Sequence, residues 1–180
     1  MSRVRTPFRV VVMGVSGCGK STVARLLAAR LAVAFVEGDD LHSAANVAKM
    51  ASGEPLTDAD RAGWLQVLSQ RLQLAVQQDQ GVVVACSALK KNYRDVLRQG
   101  AVDVLFVHLQ GSTEVLTQRL QQRTAHYMPP SLLQSQLAIL QPPGADETAL
   151  TLDVLTPPEQ QCQQVMQYLQ TLCPTSVGAS

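Results

Sequence analysis

The run Gly14-Val15-Ser16-Gly17-Cys18-Gly19-Lys20-Ser21 reads G-x-x-x-x-G-K-S without a mismatch. Residues of these types at this spacing suit one task, holding the phosphates of a nucleotide. The glycines let successive backbone N–H groups turn inward and cradle phosphate oxygens. A helix that starts where the loop ends adds unpaired N–H donors and a positive dipole end. Lys20 then reaches the β- and γ-phosphates, Ser21 holds Mg²⁺, and Thr22 closes the candidate nucleotide-binding set that starts at Gly14. A glycine-rich turn can match such a pattern by chance, but here the flanks agree with it. An apolar run (10–13) leads in and a helical pattern (22–31) leads out, which is the strand–loop–helix context the motif requires.

A triphosphate needs something to react with. Asp39 follows a short apolar run (34–36) by a few residues, so its carboxylate belongs at the sheet edge that faces the loop. Transfer to an alcohol needs a group that accepts or orients the hydroxyl proton, and a group that anchors the metal; Asp39 suits either task. Glu37 points to the same side and can help through water. Asp40 is equally suited to capping the next helix. The third apolar strand ends in Cys86-Ser87 rather than in an acid, which argues against switch GTPases and large motor ATPases. Arg119 and Arg123 lie four apart on a helical pattern and share one face. Their forked guanidinium groups pair with phosphate oxygens, so they are candidates to meet the moving phosphoryl group, against the alternative of two solvated surface arginines. His42, Lys49, Arg61, Lys90 and Arg94 complete the polar candidates: a polyhydroxy acid needs a cation for its carboxylate and hydrogen-bonding groups for its hydroxyls. Trp64, the single tryptophan, lies on an apolar helical stripe and reads as core.

The elements that must carry these groups follow from the hydrophobic pattern. Strands are expected at 9–13, 34–36, 82–85, 102–109 and 149–154. Helices are expected at 20–31, weakly at 42–52, and at 57–78, 91–98, 113–122, 131–140 and from 157 onward. The 57–78 helix carries Trp64, Leu68, Leu72, Ala75 and Val76 along one face. Strands alternating with helices predict an α/β fold with a parallel five-stranded sheet. Two excursions exceed a simple crossover, 39–64 and 119–130. Both can reach the carboxyl ends of the strands, where open α/β sheets bind ligands. They are where a second substrate and a closing lid would be built.

The chain has 180 residues, enough for one domain with a real core, and we read 1–180 as a single unit with a loose tail at 174–180. Hydrophobic residues make up 46% and charged residues 16%, a balance that fits a soluble globular protein. A net charge of +1 gives no electrostatic footprint for nucleic acid or an anionic membrane. No run is long enough for a signal sequence or a membrane span, so the expected location is cytoplasmic. Cys18, Cys86, Cys162 and Cys173 fit no zinc pattern. Cys86 and Cys162 read as core, and Cys18 as a residue of which only the backbone matters.

Several narrower blocks accompany the glycine loop: Gly38-Asp39-Asp40-Leu41-His42, then Lys49-Met50-Ala51-Ser52-Gly53-Glu54-Pro55-Leu56-Thr57-Asp58, and Arg61 with Trp64-Leu65. Further on come Cys86-Ser87-Ala88-Leu89-Lys90-Lys91 with Tyr93-Arg94-Asp95, and His126-Tyr127-Met128 before Leu132-Leu133-Gln134-Ser135-Gln136. Together they resemble the gluconate kinase family over residues 10–147. The resemblance implies a three-layer P-loop fold like that of nucleoside monophosphate kinases, with sheet order 2-3-1-4-5. It implies phosphorylation of D-gluconate to 6-phosphogluconate with ATP and Mg²⁺, a substrate region at 39–64, a lid near 119–130 that adds His126 to the substrate contacts, and a homodimer. This sequence departs from the family pattern at Ser43, where proline is usual, at Ala125 and Tyr127 around His126, and at Gln141, where glutamate is common. Shikimate and adenylate kinases share the architecture and are the alternatives within kinases. A GTPase-like module would need a guanine-reading Asn-Lys-x-Asp run, which is absent.

Overall fold

The computed structural model describes residues 7–123 and 129–173. Among them, β1 (Arg9–Met13), β2 (Ala34–Glu37), β3 (Val82–Ala85), β4 (Leu105–Gln110) and β5 (Ala149–Asp153) form one parallel sheet. Its order is β2-β3-β1-β4-β5. The central strand β1 is buried along its whole length, and so is β3. Apart from Arg9, whose buried guanidinium pairs with Asp103, both are runs of valine and other apolar residues with no alternation, as a strand covered on two faces requires. Register is fixed from the middle outward: Val11 pairs with Val84 on one side and Phe106 on the other.

The helices are α1 (Lys20–Leu31), α2 (Ala44–Ala51), α3 (Asp58–Gln77), α4 (Lys91–Gly100), α5 (Thr113–Gln121), α6 (Pro130–Ile139) and α7 (Pro158–Leu172), with a 3-10 turn at Gly38–Leu41. α1 packs against α7 and the sheet, and α3 packs against α4. Local chemistry sets the helix starts. Thr57 and Asp60 form a reciprocal capping box at the head of α3. Ser43, the departure from the family's proline, caps α2 by accepting the Asn46 N–H at 3.1 Å. Gln141, another departure, accepts the Lys91 N–H at 2.8 Å and so caps α4 from a distant segment.

Two expectations about the pattern need correction. The fourth strand begins at Leu105, not at 102, and Val102 is 89% exposed. The reason is α4, which runs on to Gly100: a Cβ there would lie 2.1 Å from the Ser69 carbonyl oxygen, so only glycine lets α4 sit so close to α3. The next residues are then spent on a turn, held by the Val104 N–H on Ala101 O. Val76 is exposed although Ala75 is buried, because the apolar stripe of α3 runs through Trp64, Leu65, Leu68, Leu72 and Ala75 and has passed by the next residue.

A buried ionic knot ties α4 to the segment that leads into β5. Arg94 is wholly buried and forks onto both Glu147 oxygens at 2.8 and 3.0 Å. Arg98 adds a further bond to Glu147 at 3.1 Å. Burial pushes the Glu147 carboxyl up, but Arg94, the Gly144 N–H and Arg98 outweigh it and hold the group at about 2. Beside this knot, His108 on β4 is buried and its Nδ1 has no partner among the described residues. Burial, and then the charge of Arg94, push its pKa from 6.5 down to about 4. His108 therefore stays neutral in the folded chain through a range in which the unfolded chain takes up a proton. The stability at stake is fully present above pH 6.5 and is lost as pH falls toward 4, a loss of roughly 3 kcal/mol. His108→Leu is expected to remove most of that slope in urea unfolding measured across the window. An unchanged slope in the variant would show that another group carries the acid sensitivity.

Candidate active site

The glycine loop joins β1 to α1 and is locked to its neighbours through backbone. The Gly14 N–H donates to Ser87 O at 3.2 Å, which ties the loop to the end of β3. A Cβ on Gly14 would come within 2.8 Å of both Leu109 O and Cys18 Sγ. Cys18 is thus more than backbone: its side chain is buried beneath Gly14 and sets the floor of the loop. Val15 and Gly17 are also buried or nearly so, Ser16, Gly19, Lys20 and Ser21 are partly open, and Thr22 is exposed. Lys20 folds back over the loop to donate to Val15 O at 3.3 Å. The Ser16 N–H, one of the donors meant for phosphate, is occupied by Gln136 Oε1 of α6 at 2.8 Å.

Asp39 sits in the 3-10 turn that follows β2, with Glu37 just before it. Gly38 is pressed against the end of β3, where a Cβ would lie 2.4 Å from Ala85 O. Asp39 thereby lies beside the tip of β3, to which Gly14 ties the phosphate loop, and Glu37 is paired in register with Ala85 at the same tip. Cys86 itself is inert: burial first, with the two carboxylates behind it, pushes its thiol up to about 12. The Asp39 carboxylate is exposed and accepts no hydrogen bond from a described residue.

Next to Asp39 the structure assembles a rim of polar groups. His42 stacks on Trp64 with ring centroids 4.1 Å apart, and the Trp64 indole N–H donates to Gly38 O at 2.7 Å. The His42 pKa is lowered by burial, with Asp39 opposing and Arg61 assisting. Arg61 is buried and donates to Leu56 O at 2.6 Å and to Tyr93 Oη at 3.3 Å. Tyr93 in turn donates a short hydrogen bond to Asp58, which also receives Lys90 Nζ at 2.9 Å. Lys49 pairs with Asp60 at 2.7 Å, and this bond, together with the Thr57 N–H, holds the Asp60 carboxyl at about 2. Asp39, His42, Lys49, Arg61 and Lys90 therefore share one neighbourhood. Asp58, Asn46 and Tyr93 belong to it too; Asp58 and Tyr93 stood in the sequence only within the blocks that carry the family resemblance.

Arg94 does not join them. Its guanidinium is spent on Glu147 and on Ala88 O, the latter at 2.8 Å. Ala88 has φ +44, a left-handed conformation that is strained for alanine. Arg94 thus belongs to the Cys86–Lys91 stretch as the clamp that holds its backbone rather than as a substrate contact. His126 and residues 124–128 of the expected lid lie outside the described residues.

On the opposite flank of the loop is a cleft of about 300 Å³, lined by Gly17, Gly19, Thr22, Arg119, Arg123 and Pro158 among others. Arg119 and Arg123 thus line one cleft with two glycines of the phosphate loop. Arg119 is at present tied back to Val154 O at 2.6 Å. Pro158 and Gln161 of α7 close this cleft. Sequence reasoning takes Pro158 as a helix start and misses its second position beside the nucleotide loop.

Among the described residues, no cluster of three or more His, Cys, Asp or Glu side chains could hold a metal by itself. Ser21 is partly open at the head of α1 and Asp39 is exposed in the turn after β2, so each presents an accessible oxygen. That fits Mg²⁺, which keeps waters and takes its remaining ligands from substrate phosphates.

Both the sequence and the fold of this chain are similar to those of known proteins. The family described as an AAA domain matches residues 10–143. The gluconokinase of Gluconobacter oxydans (strain 621H) is 48% identical over 91% of this chain and 92% of its own length. The thermoresistant gluconokinase of Escherichia coli (strain K12) is 46% identical over 83% of this chain and 86% of its own. Among solved structures, a gluconokinase from Sinorhizobium meliloti 1021 superposes with a TM-score of 0.84 at 44% identity, covering 93% of this chain and 94% of that one. With a phosphate loop, a carboxylate near the tip of β3 and relatives of this closeness over nearly their whole length, the chain belongs to the gluconokinase family of P-loop kinases.

Proposed function

We propose that the chain transfers the γ-phosphoryl group of ATP to the primary hydroxyl of D-gluconate, giving 6-phospho-D-gluconate and ADP. The observation that carries the reading is the packing of the Asp39 turn and the phosphate loop onto the end of β3, through Gly38 against Ala85 O and Gly14 on Ser87 O, with His42, Arg61, Lys49 and Lys90 on the adjoining rim. A polyhydroxy carboxylate suits such a rim: cations for one end, donors and acceptors for the hydroxyls. Shikimate is a smaller, cyclic hydroxy carboxylate, and the assay below separates it from gluconate.

In this reading the N–H groups of residues 14–21 hold the phosphates, and Lys20 swings from Val15 O to bridge the β- and γ-oxygens. Asp39 receives the proton of the attacking hydroxyl as the new oxygen–phosphorus bond forms and the bond to ADP breaks. Arg123 and Arg119 neutralise charge on the moving group, which requires Arg119 to leave Val154 O. Ser21 and Asp39 would hold Mg²⁺, which would supply charge neutralisation at the phosphate oxygens. His126, in the expected lid, would meet the sugar acid on closure, excluding water as a competing acceptor. The working protein is taken to be a cytoplasmic homodimer.

Gln136 occupies the Ser16 N–H and has to leave for a phosphate oxygen to take its place. Removing it is expected to tighten ATP binding. Gln136→Ala should lower the dissociation constant about twofold to tenfold by calorimetry, the worth of one neutral hydrogen bond. Weaker binding in the variant would mean that Gln136 assists the nucleotide instead of competing with it.

The catalytic reading is tested with purified protein, ATP and Mg²⁺ in an ADP-release assay over gluconate, shikimate and AMP. Gluconate is expected to support turnover, and strong turnover on shikimate alone would sink the assignment. Asp39→Asn should cut the gluconate rate to below about a tenth of wild type while ATP affinity holds. A variant that keeps more than that fraction would rule out Asp39 as the base.

A further inference from the structure

We propose that Trp64 is a positioning residue for Asp39, acting through the Gly38 carbonyl. The inference rests on the role of Asp39 proposed above. Asp39 has no hydrogen-bonding partner for its carboxylate among the described residues, so the backbone beneath it must set its direction. That backbone is a turn of four residues, Gly38–Leu41, and its closing bond from the His42 N–H to Asp39 O is long, at 3.4 Å. Support from outside the turn therefore bears on where Asp39 points.

Trp64 supplies it at both ends. Its indole N–H donates to Gly38 O at 2.7 Å, and this carbonyl belongs to the peptide plane that leads into Asp39. Its ring face stacks on His42, 4.1 Å away and inclined by 17°, just past the end of the turn. From the other side Ala85 O presses on Gly38, closely enough that a Cβ would meet it at 2.4 Å. Gly38 is thus clamped between the end of β3 and the indole. Trp64 is 4% exposed and sits one turn beyond Arg61 on α3, whose capping box and apolar stripe fix the ring in turn. A phenylalanine would fill most of the same space and keep the stack. What it would lose is the N–H, which is the polar link between α3 and the Asp39 peptide.

The test is Trp64→Phe, assayed with ATP and gluconate. The expected result is a fall in kcat of about tenfold, with KM for ATP changed by no more than about twofold, since a misaimed group costs rate and leaves nucleotide binding alone. A fall in folded fraction would act differently, scaling the rate in every background alike. The same substitution is therefore also combined with Asp39→Asn, where it is expected to cost nothing further, because the group it aims is gone. Since Trp64 is the single tryptophan, biosynthetic replacement by benzothienylalanine exchanges the indole N–H for sulfur with the ring outline kept. That protein is expected to repeat the kcat loss, and it decides the matter should the phenylalanine variant fold poorly. A wild-type kcat in the sulfur analogue, or an equal fold-loss from Trp64→Phe in the wild-type and Asp39→Asn backgrounds, would overturn the proposal. Activity retained by Asp39→Asn alone would instead overturn the proposed role of Asp39, so the two failures are distinguishable.

Discussion

Everything at the carboxyl edge of the sheet depends on how closely its backbones approach one another. Gly14 and Gly38 are the contact points. Gly14 bonds to Ser87 O and leaves no room for a Cβ beside Leu109 O. Gly38 leaves none beside Ala85 O. The phosphate loop, the turn carrying Asp39 and the ends of β3 and β4 are therefore fixed against each other through main chain, without side chains as spacers. Main-chain contact of this kind is stiff, and reactive groups held to fractions of an ångström need stiffness.

The second requirement is a support that keeps the edge from relaxing. Part of it comes from Arg94. A buried ion pair is a weak source of net stability, because desolvating both partners offsets most of their attraction. Its value here is geometric. Arg94 holds Ala88 in a left-handed conformation by one bond and Glu147 by two, so the segment before β5 and the segment after β3 share an anchor. Gln141 adds to the same junction by capping α4 and by donating its N–H to Leu89 O at 2.8 Å. Arg94 lies within a block that resembles the family, and yet its guanidinium is spent on Glu147 and Ala88 O rather than on the rim around Asp39. Residues can characterise a site through the backbone they hold.

Local features of the site were legible in the sequence. The glycine loop needs only its spacing and its flanks, the valine runs of β1 and β3 declare their burial, and Thr57 with the acids that follow it marks the start of α3. What escaped depends on partners far along the chain. Gln136 meets Ser16 across 120 residues, and Arg94 meets Glu147 across 53. Nothing in the local pattern around either residue announces such a partner. Trp64 reads as core from its periodicity, and it is core; the direction of its N–H follows only from where Gly38 lies. Val102 misled because a valine before an apolar run looks like a strand, whereas the close packing of Gly100 on Ser69 moves the strand start onward.

The central claim is that this edge delivers a phosphoryl group to one particular oxygen of a sugar acid. Phosphorus NMR of the product made from ATP, Mg²⁺ and D-gluconate tests it most directly. The account predicts a single new phosphomonoester whose phosphorus couples to the two protons of the terminal CH₂ group, formed in step with ADP. Inorganic phosphate as the main product, or a phosphoester on a secondary hydroxyl carbon, would contradict it.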